Sequence, residues 1–275
     1  MSDRRETAAN GRVAAAELKG AVEAERFVEG EVRQVAPPLA TLWSAPDGRR
    51  ERQLLHGEGF RVLEDRDGWS FGQAARDGFV GYMRSADLRD AVIPTHAVAV
   101  PATHVYPRPD MKTIEHMGLS FGSKIRIVGG ADRFYETHDG GFVFRDHVRP
   151  VNRPLTDPAT VAQLFFGVPY LWGGNSVWGI DCSGLVQAAC LACGIECPGD
   201  SDQQEARLGH PVDMDAPVQR GDLFFWSGHV AMAVDAETLI HANAFRMAVA
   251  YEPLCEAIAR IEAQGDGPVT ARRRV

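Results

Sequence analysis

The stretch that decides the fold is residues 169–204, PYLWGGNSVWGIDCSGLVQAACLACGIECPGDSDQQ. Its glycine-rich turns lead into Asp181-Cys182-Ser183-Gly184, and an apolar run follows at once. Leu185, Val186, Ala189 and Cys190 recur at helical spacing, so the segment predicts a helix that opens at Cys182. The unpaired N–H groups of a helix start favour negative charge. A thiol held there is expected to ionise readily, and the thiolate is the nucleophilic form. A lone Cys more often packs as a small buried side chain, so the assignment needs partners elsewhere in the chain.

Those partners lie downstream. Gly221-Asp222-Leu223-Phe224-Phe225-Trp226 reads as a turn and a buried strand. Ser227-Gly228 then leads to His229 at the start of a second strand, Val230–Val234, and Leu239-Ile240-His241-Ala242-Asn243 reads as a third. A histidine on a strand is usually structural. Two of them after one Cys at a helix start fit a nucleophile, a base and an orienting group.

The segments PYLWGG, DCSGLV, DSDQQ, GDLFFW with GHVAM, and LIHANA follow one another over roughly residues 155–275. In content and order they resemble the NlpC-like family of cell-wall cysteine peptidases. The resemblance implies an α+β, papain-like domain: a helix bearing the Cys packed on an antiparallel sheet bearing both histidines. It implies hydrolysis of peptidoglycan-derived peptides at the bond from the D-glutamate side-chain carboxyl to a diamino acid. Cys182 is then the nucleophile, His229 the general base, and His241 the group that orients the His229 ring. The Tyr170 hydroxyl and the Cys182 backbone N–H are the expected oxyanion donors.

The same matching supplies substrate positions. Ser183 and Ser201 correspond to residues that hold the D-glutamate α-carboxylate, and Trp172 to a pocket wall. Asp200 corresponds to a residue that pairs with a free N-terminal ammonium, with Glu51 a candidate second acid. Asp181 stands with this set, its expected work being local hydrogen bonding around the Cys turn. In members with SH3-like domains ahead of the peptidase, a Tyr from the first barrel closes the pocket; Tyr82, in GYM, matches it. Tyr82 also reads as a barrel core aromatic, and Asp200 as a helix or turn cap.

Upstream, short strands alternate with Gly/Asp turns. QLLHGE, VLEDRDGW and GFVGYM resemble the bacterial SH3-like domain, and this spacing predicts a small barrel. Residues 95–151 read as a weaker copy, in which Arg145-Asp146-His147-Val148 parallels Arg84–Leu88. The expected organisation is an N-terminal arm, partly helical (1–35), a first SH3-like domain (36–92), a second (93–152), and the peptidase domain (153–275). Within the arm, Val13 to Phe27 is expected to be a helix packed on the body. Asp157 is expected to cap a helix over Pro158–Phe166, with Pro at its first position.

Composition narrows the classes. A formal net charge of −8 argues against nucleic acid or anionic membrane as partner. No apolar run is long enough for a transmembrane helix. The first residues lack a secretory apolar core, so a cytoplasmic location is expected. The chain has five Cys, an odd number, which does not suggest a disulfide framework. Cys190, Cys193 and Cys197 with His210 do not offer convincing zinc spacing, because the first two fall on the expected Cys182 helix. Neither metal nor cofactor is expected. An amidase or acyltransferase on the same fold, or a non-catalytic binding module, are the competing functions. Tyr170, Asp200 and Ser201 argue against the former, and the complete Cys182, His229, His241 set against the latter.

Overall fold

The computed structural model describes residues 3–275. The chain forms two compact units, Met1–Asn152 and Arg153–Val275.

The N-terminal unit is built from strands. Its first module is a seven-stranded antiparallel sheet in the order 50–55, 39–43, 80–84, 69–74, 59–66, 31–35, 88–90. Alternation decides which residues face inward: Ala40 and Leu42 on one strand, and Phe60 and Val62 on another, join Met83 in one apolar core. The second module has a three-stranded and a five-stranded sheet over Val98, Val105, Leu119, Ile125, Val143 and Val148. Both modules finish alike, with a 3-10 turn (Ser85–Asp87, Arg145–His147) followed by a short strand (Leu88–Asp90, Val148–Pro150).

The arm differs from expectation. Residues 13–27 do not form a helix. Val13–Ala15 and Arg26–Val28 pair as short parallel strands, and only Ala16–Leu18 makes a 3-10 turn. Ala8, Val13 and Ala15 are buried against Leu63, Phe71 and Val80 of the first module. Burial against the first module has overridden the weak helical pattern of an Ala-rich segment. The first sheet also begins earlier than residue 36, because Glu31–Val35 pairs with 59–62 and 88–90.

The C-terminal unit carries the helices. Helix α1 spans Pro158–Gln163 and starts as expected, with Asp157 accepting from the Ala159 and Thr160 amides, but ends three residues before Phe166. Helix α2 is Cys182–Ala192, α3 Ser201–Arg207 and α4 Leu254–Ile261. The sheet is six-stranded and antiparallel, in the order 210–211, 271–274, 223–226, 229–233, 238–243, 248–253. Helix α2 packs on the strands of His229 and His241. Phe224, Trp226, Ala231, Ala233 and Leu239 pack against Ala257 and Ile261 of α4. The fully buried Asp222 binds both Arg272 (3.0 Å) and Arg274 (2.6 and 2.8 Å), which fastens the C-terminal strand beside 223–226. Among the described residues no helix is long and apolar enough to cross a membrane.

Candidate active site

Cys182 is the first residue of α2, and Asp181 is what holds it there. The Asp181 carboxylate caps the helix, accepting the Gly184 amide at 2.7 Å and the Ser183 hydroxyl at 3.2 Å through Oδ1. Its Oδ2 accepts the Gly173 amide at 2.7 Å, tying the PYLWGG turn to the helix start. Gly184 is required here, because a Cβ at that position would stand 2.6 Å from the Gly174 carbonyl oxygen. Gln204 of α3 braces the same corner, donating to the Ser183 and Pro198 carbonyls, each at 2.9 Å.

His229 opens its strand and His241 lies on the next one. The rings meet through His229 Nε2 and His241 Nδ1 at 2.8 Å. The other nitrogen of His241 meets Glu252 Oε2 at 2.9 Å. Arg260 of α4 grips the same carboxylate with both ends of its fork, Nε to Oε1 and Nη2 to Oε2, each at 2.7 Å. The two halves meet in a cavity of about 190 Å³, whose lining includes Tyr170, Cys182, His229, Asn243, Phe245 and Arg260. The backbone N–H of Val230, one residue past His229, hydrogen-bonds the Cys182 sulfur.

The electrostatics of the thiol run against the expectation drawn from its helix position. Burial, and then the neighbouring Asp181 carboxylate, push the Cys182 thiol up to about 12. Hydrogen bonds from the Val230, Ser183 and Cys182 amides work the other way and are outweighed. Burial, then the neighbouring His241 ring and the Arg260 charge, bring His229 down to about 3, with Glu252 opposing. The resting pair is therefore a neutral thiol beside a neutral imidazole. A helix start offers about half a unit of charge, while removal from water acts on the full charge of a thiolate. Burial, then the neighbouring Cys182 sulfur and the Asp181 charge, raise the Tyr170 phenol to about 12, so at neutral pH it remains a hydrogen-bond donor. Glu252 is held down at about 2, first by its hydrogen bond from Arg260 and then by that from His241, against the cost of burial.

The other expected residues are distributed as follows. Asp200 is the N-cap residue of α3, its carbonyl accepting the Gln204 amide at 2.9 Å, while its side chain makes no capping bond. Ser201 is half-buried as the first residue of α3, and Trp172 is exposed. Tyr82 belongs to the N-terminal unit. There it is half-buried, 5.0 Å from the Phe71 ring, and faces a cavity of about 440 Å³ shared with Arg12, Glu64 and Trp69. Glu51 is buried in pairs with Arg4 (2.9 Å) and Arg49 (3.0 Å). Cys190 and Cys197 are buried, and among the described residues no group of three or more His, Cys, Asp or Glu side chains is placed to hold a metal.

Sequence reasoning missed Glu252, Arg260 and Asn243. Asn243 is buried on the His241 strand; its Oδ1 accepts the Arg246 amide at 2.7 Å, and its Nδ2 has no partner. The one signal for Glu252 is register: Ala250 stands opposite His241, so Glu252, two residues on, shares its face of the sheet.

Comparison with known proteins agrees with this architecture. Residues 167–262 match the NlpC/P60 family, and residues 42–88 match the bacterial dipeptidyl-peptidase Sh3 domain. A dipeptidyl-peptidase 6 from Lysinibacillus sphaericus is 38% identical, the match covering 74% of this chain and 85% of that protein. The chain belongs to the NlpC/P60 family. It is thus a cysteine peptidase of the cell-wall peptidase class. A gamma-D-glutamyl-L-lysine dipeptidyl-peptidase from Bacillus cereus is 26% identical over 247 residues, covering 78% of this chain and 73% of that protein. The crystal structure of an NlpC/P60 family protein from Bacillus cereus shares the fold, with a TM-score of 0.74 at 21% identity over 89% of this chain and 99% of that one.

Proposed function

We propose that the protein hydrolyses the γ-D-glutamyl–diamino acid bond of short peptidoglycan-derived peptides that carry a free N-terminal L-Ala. The observation that carries this reading is the shared cavity of Cys182 and His229, with His229 bonded to His241 at 2.8 Å. The activity named for the Bacillus cereus relative supports the choice of bond.

The neutral resting pair sets the order of events. Cys182 Sγ attacks the γ-carbonyl carbon as His229 takes the thiol proton, so the sulfur never carries its full charge unpaired in the buried site. The oxyanion is received by the Cys182 backbone N–H and the Tyr170 hydroxyl, which stays protonated. Collapse expels the amine of the diamino acid, which takes the proton from His229, and leaves a thioester. Water, deprotonated by His229, then releases the glutamyl carboxylate and the free thiol. Asp200 at the start of α3 is the proposed partner of the substrate ammonium, and Ser183 and Ser201 the partners of the D-glutamate α-carboxylate.

The test is incubation with L-Ala-γ-D-Glu joined to L-Lys or to diaminopimelate, with and without N-acetylation, followed by mass spectrometry. The expected products are L-Ala-D-Glu and the free diamino acid, from the free-amine peptides alone. Equal cleavage of the acetylated peptides removes the proposed role of Asp200, and cleavage of neither form removes the substrate assignment.

A further inference from the structure

The hydrogen-bond chain behind His229 does not stop at the second histidine. We propose that Glu252, clamped by Arg260, is a positioning residue that fixes the His229 tautomer through His241; this rests on the reading of His229 as the base for Cys182.

The argument follows donors and acceptors along the chain. Arg260 donates to both Glu252 oxygens, and its remaining Nη1 donates to Gln264 at 2.7 Å. The guanidinium also lies over the Phe245 ring, 4.6 Å from its centroid. Every part of the fork is engaged, so the carboxylate is held in place as an anion. An ionised carboxylate only accepts, so His241 Nε2, at 2.9 Å, must carry a hydrogen. With His241 in its neutral form, that one N–H is its only donor, which leaves His241 Nδ1 as an acceptor. His229 Nε2, at 2.8 Å, must then be the donor. The remaining nitrogen of His229, Nδ1, is left with a bare lone pair, the form a base needs to take a thiol proton.

The same bonds serve the protonated ring. When His229 gains a proton at Nδ1, its Nε2–H still donates to His241 and nothing behind it turns. The Glu252 charge favours that imidazolium, as its opposing effect on His229 indicates. His241 without Glu252 lacks this property, because a free imidazole can present either nitrogen as the donor.

Glu252→Gln makes the prediction sharp. A glutamine carbonyl oxygen is the better partner for Arg260, which turns the amide N–H₂ toward His241 Nε2. His241 is then driven to its Nδ1–H form and donates to His229 Nε2, placing the His229 hydrogen on Nδ1. The direction of the whole chain reverses with no change in shape.

The experiment uses the full chain labelled with ¹⁵N-histidine. Long-range ¹H–¹⁵N correlation reads each ring's protonated nitrogen, with His229 assigned by its loss in His229→Gln. In the unsubstituted protein His229 is expected as Nε2–H, and in Glu252→Gln as Nδ1–H or a mixture. Turnover is expected to fall roughly 10²–10⁴-fold in kcat, between the loss of an outer partner and a full tautomer error, with KM within about twofold. An Nδ1–H form in the unsubstituted protein overturns the proposal whether or not any variant folds. An unchanged tautomer and rate in Glu252→Gln overturn it too. Arg260→Lys, which keeps a cation but not the fork, is expected to retain the Nε2–H form with a smaller loss; a loss as large as that of Glu252→Gln with the tautomer intact would mean that both residues act on folding. Turnover surviving in Cys182→Ala strikes the cysteine mechanism instead, and leaves the ring measurement standing as a separate result.

Discussion

The two halves of the active site are built by opposite means. On the helix half, Cys182 sits at the first position of α2, where backbone amides approach its sulfur but burial and Asp181 keep it a thiol. On the sheet half, His229 sits at the first position of its strand and is backed by three side chains ending in a charge clamp. One half is controlled by what surrounds it, the other by what it is bonded to. The lesson is that the sulfur is not charged in advance; in the proposed mechanism, activation waits on the sheet half accepting a proton as the bond to substrate forms.

The largest expected effect removes the helix half outright. Cys182→Ala should lower turnover by at least about 10⁴-fold, since deleting a nucleophile from an acyl-transfer site costs as much as deleting the whole set. The thermal midpoint should change little, because one sulfur is removed from a helix start whose cap remains. Any comparable rate in this variant on the γ-D-glutamyl peptides, with circular dichroism unchanged, would show that another group makes the bond.

A smaller effect is expected from Tyr170, the proposed oxyanion donor, which lines the same cavity. Tyr170→Phe keeps the ring and deletes the hydroxyl. The loss expected is about 10²–10³-fold in kcat, the range for one oxyanion donor, with KM little moved. A change in KM at constant kcat would reassign the hydroxyl to ground-state binding.

How much of this was legible beforehand follows the same division. Cys182, His229 and His241 could be picked out because each stands inside a short recognisable segment whose spacing implies a helix start or a strand. The papain-like layout followed from those segments, and the strands of both N-terminal modules from their Gly/Asp turns. Glu252 and Arg260 could not be picked out. Their meeting with His241 depends on the register of strands 238–243 and 248–253 and on how α4 returns after Pro253. The state of the thiol was misjudged for a related reason: helix position is local, whereas burial is the sum of all that packs above it. Residues 13–27 failed in the same way, since their strand pairing exists only because Leu63, Phe71 and Val80 offer an apolar surface.

The smallest effect tests that balance at the thiol. Because the Cys182 thiol is raised to about 12, its alkylation by iodoacetamide, followed by peptide mass spectrometry, should climb steadily from pH 7 to pH 10. A plateau already reached near pH 6 would mean that a thiolate–imidazolium pair exists at rest. Asp181→Asn removes the second cause of the upward shift and leaves the first, burial, in place. The sign is therefore toward easier ionisation: a few-fold faster alkylation at pH 8, with the curve still rising. The substitution also turns one acceptor into a donor. Asparagine can keep Oδ1 on the Gly184 amide and so continue to cap α2, but its N–H₂ cannot accept the Gly173 amide that Oδ2 now holds at 2.7 Å. That buried N–H is left unpaired, at a cost of about 1–3 kcal/mol, read as a lowered thermal midpoint. Unchanged or slower alkylation with the midpoint lowered would mean that the carboxylate steadies the turn without opposing the thiolate.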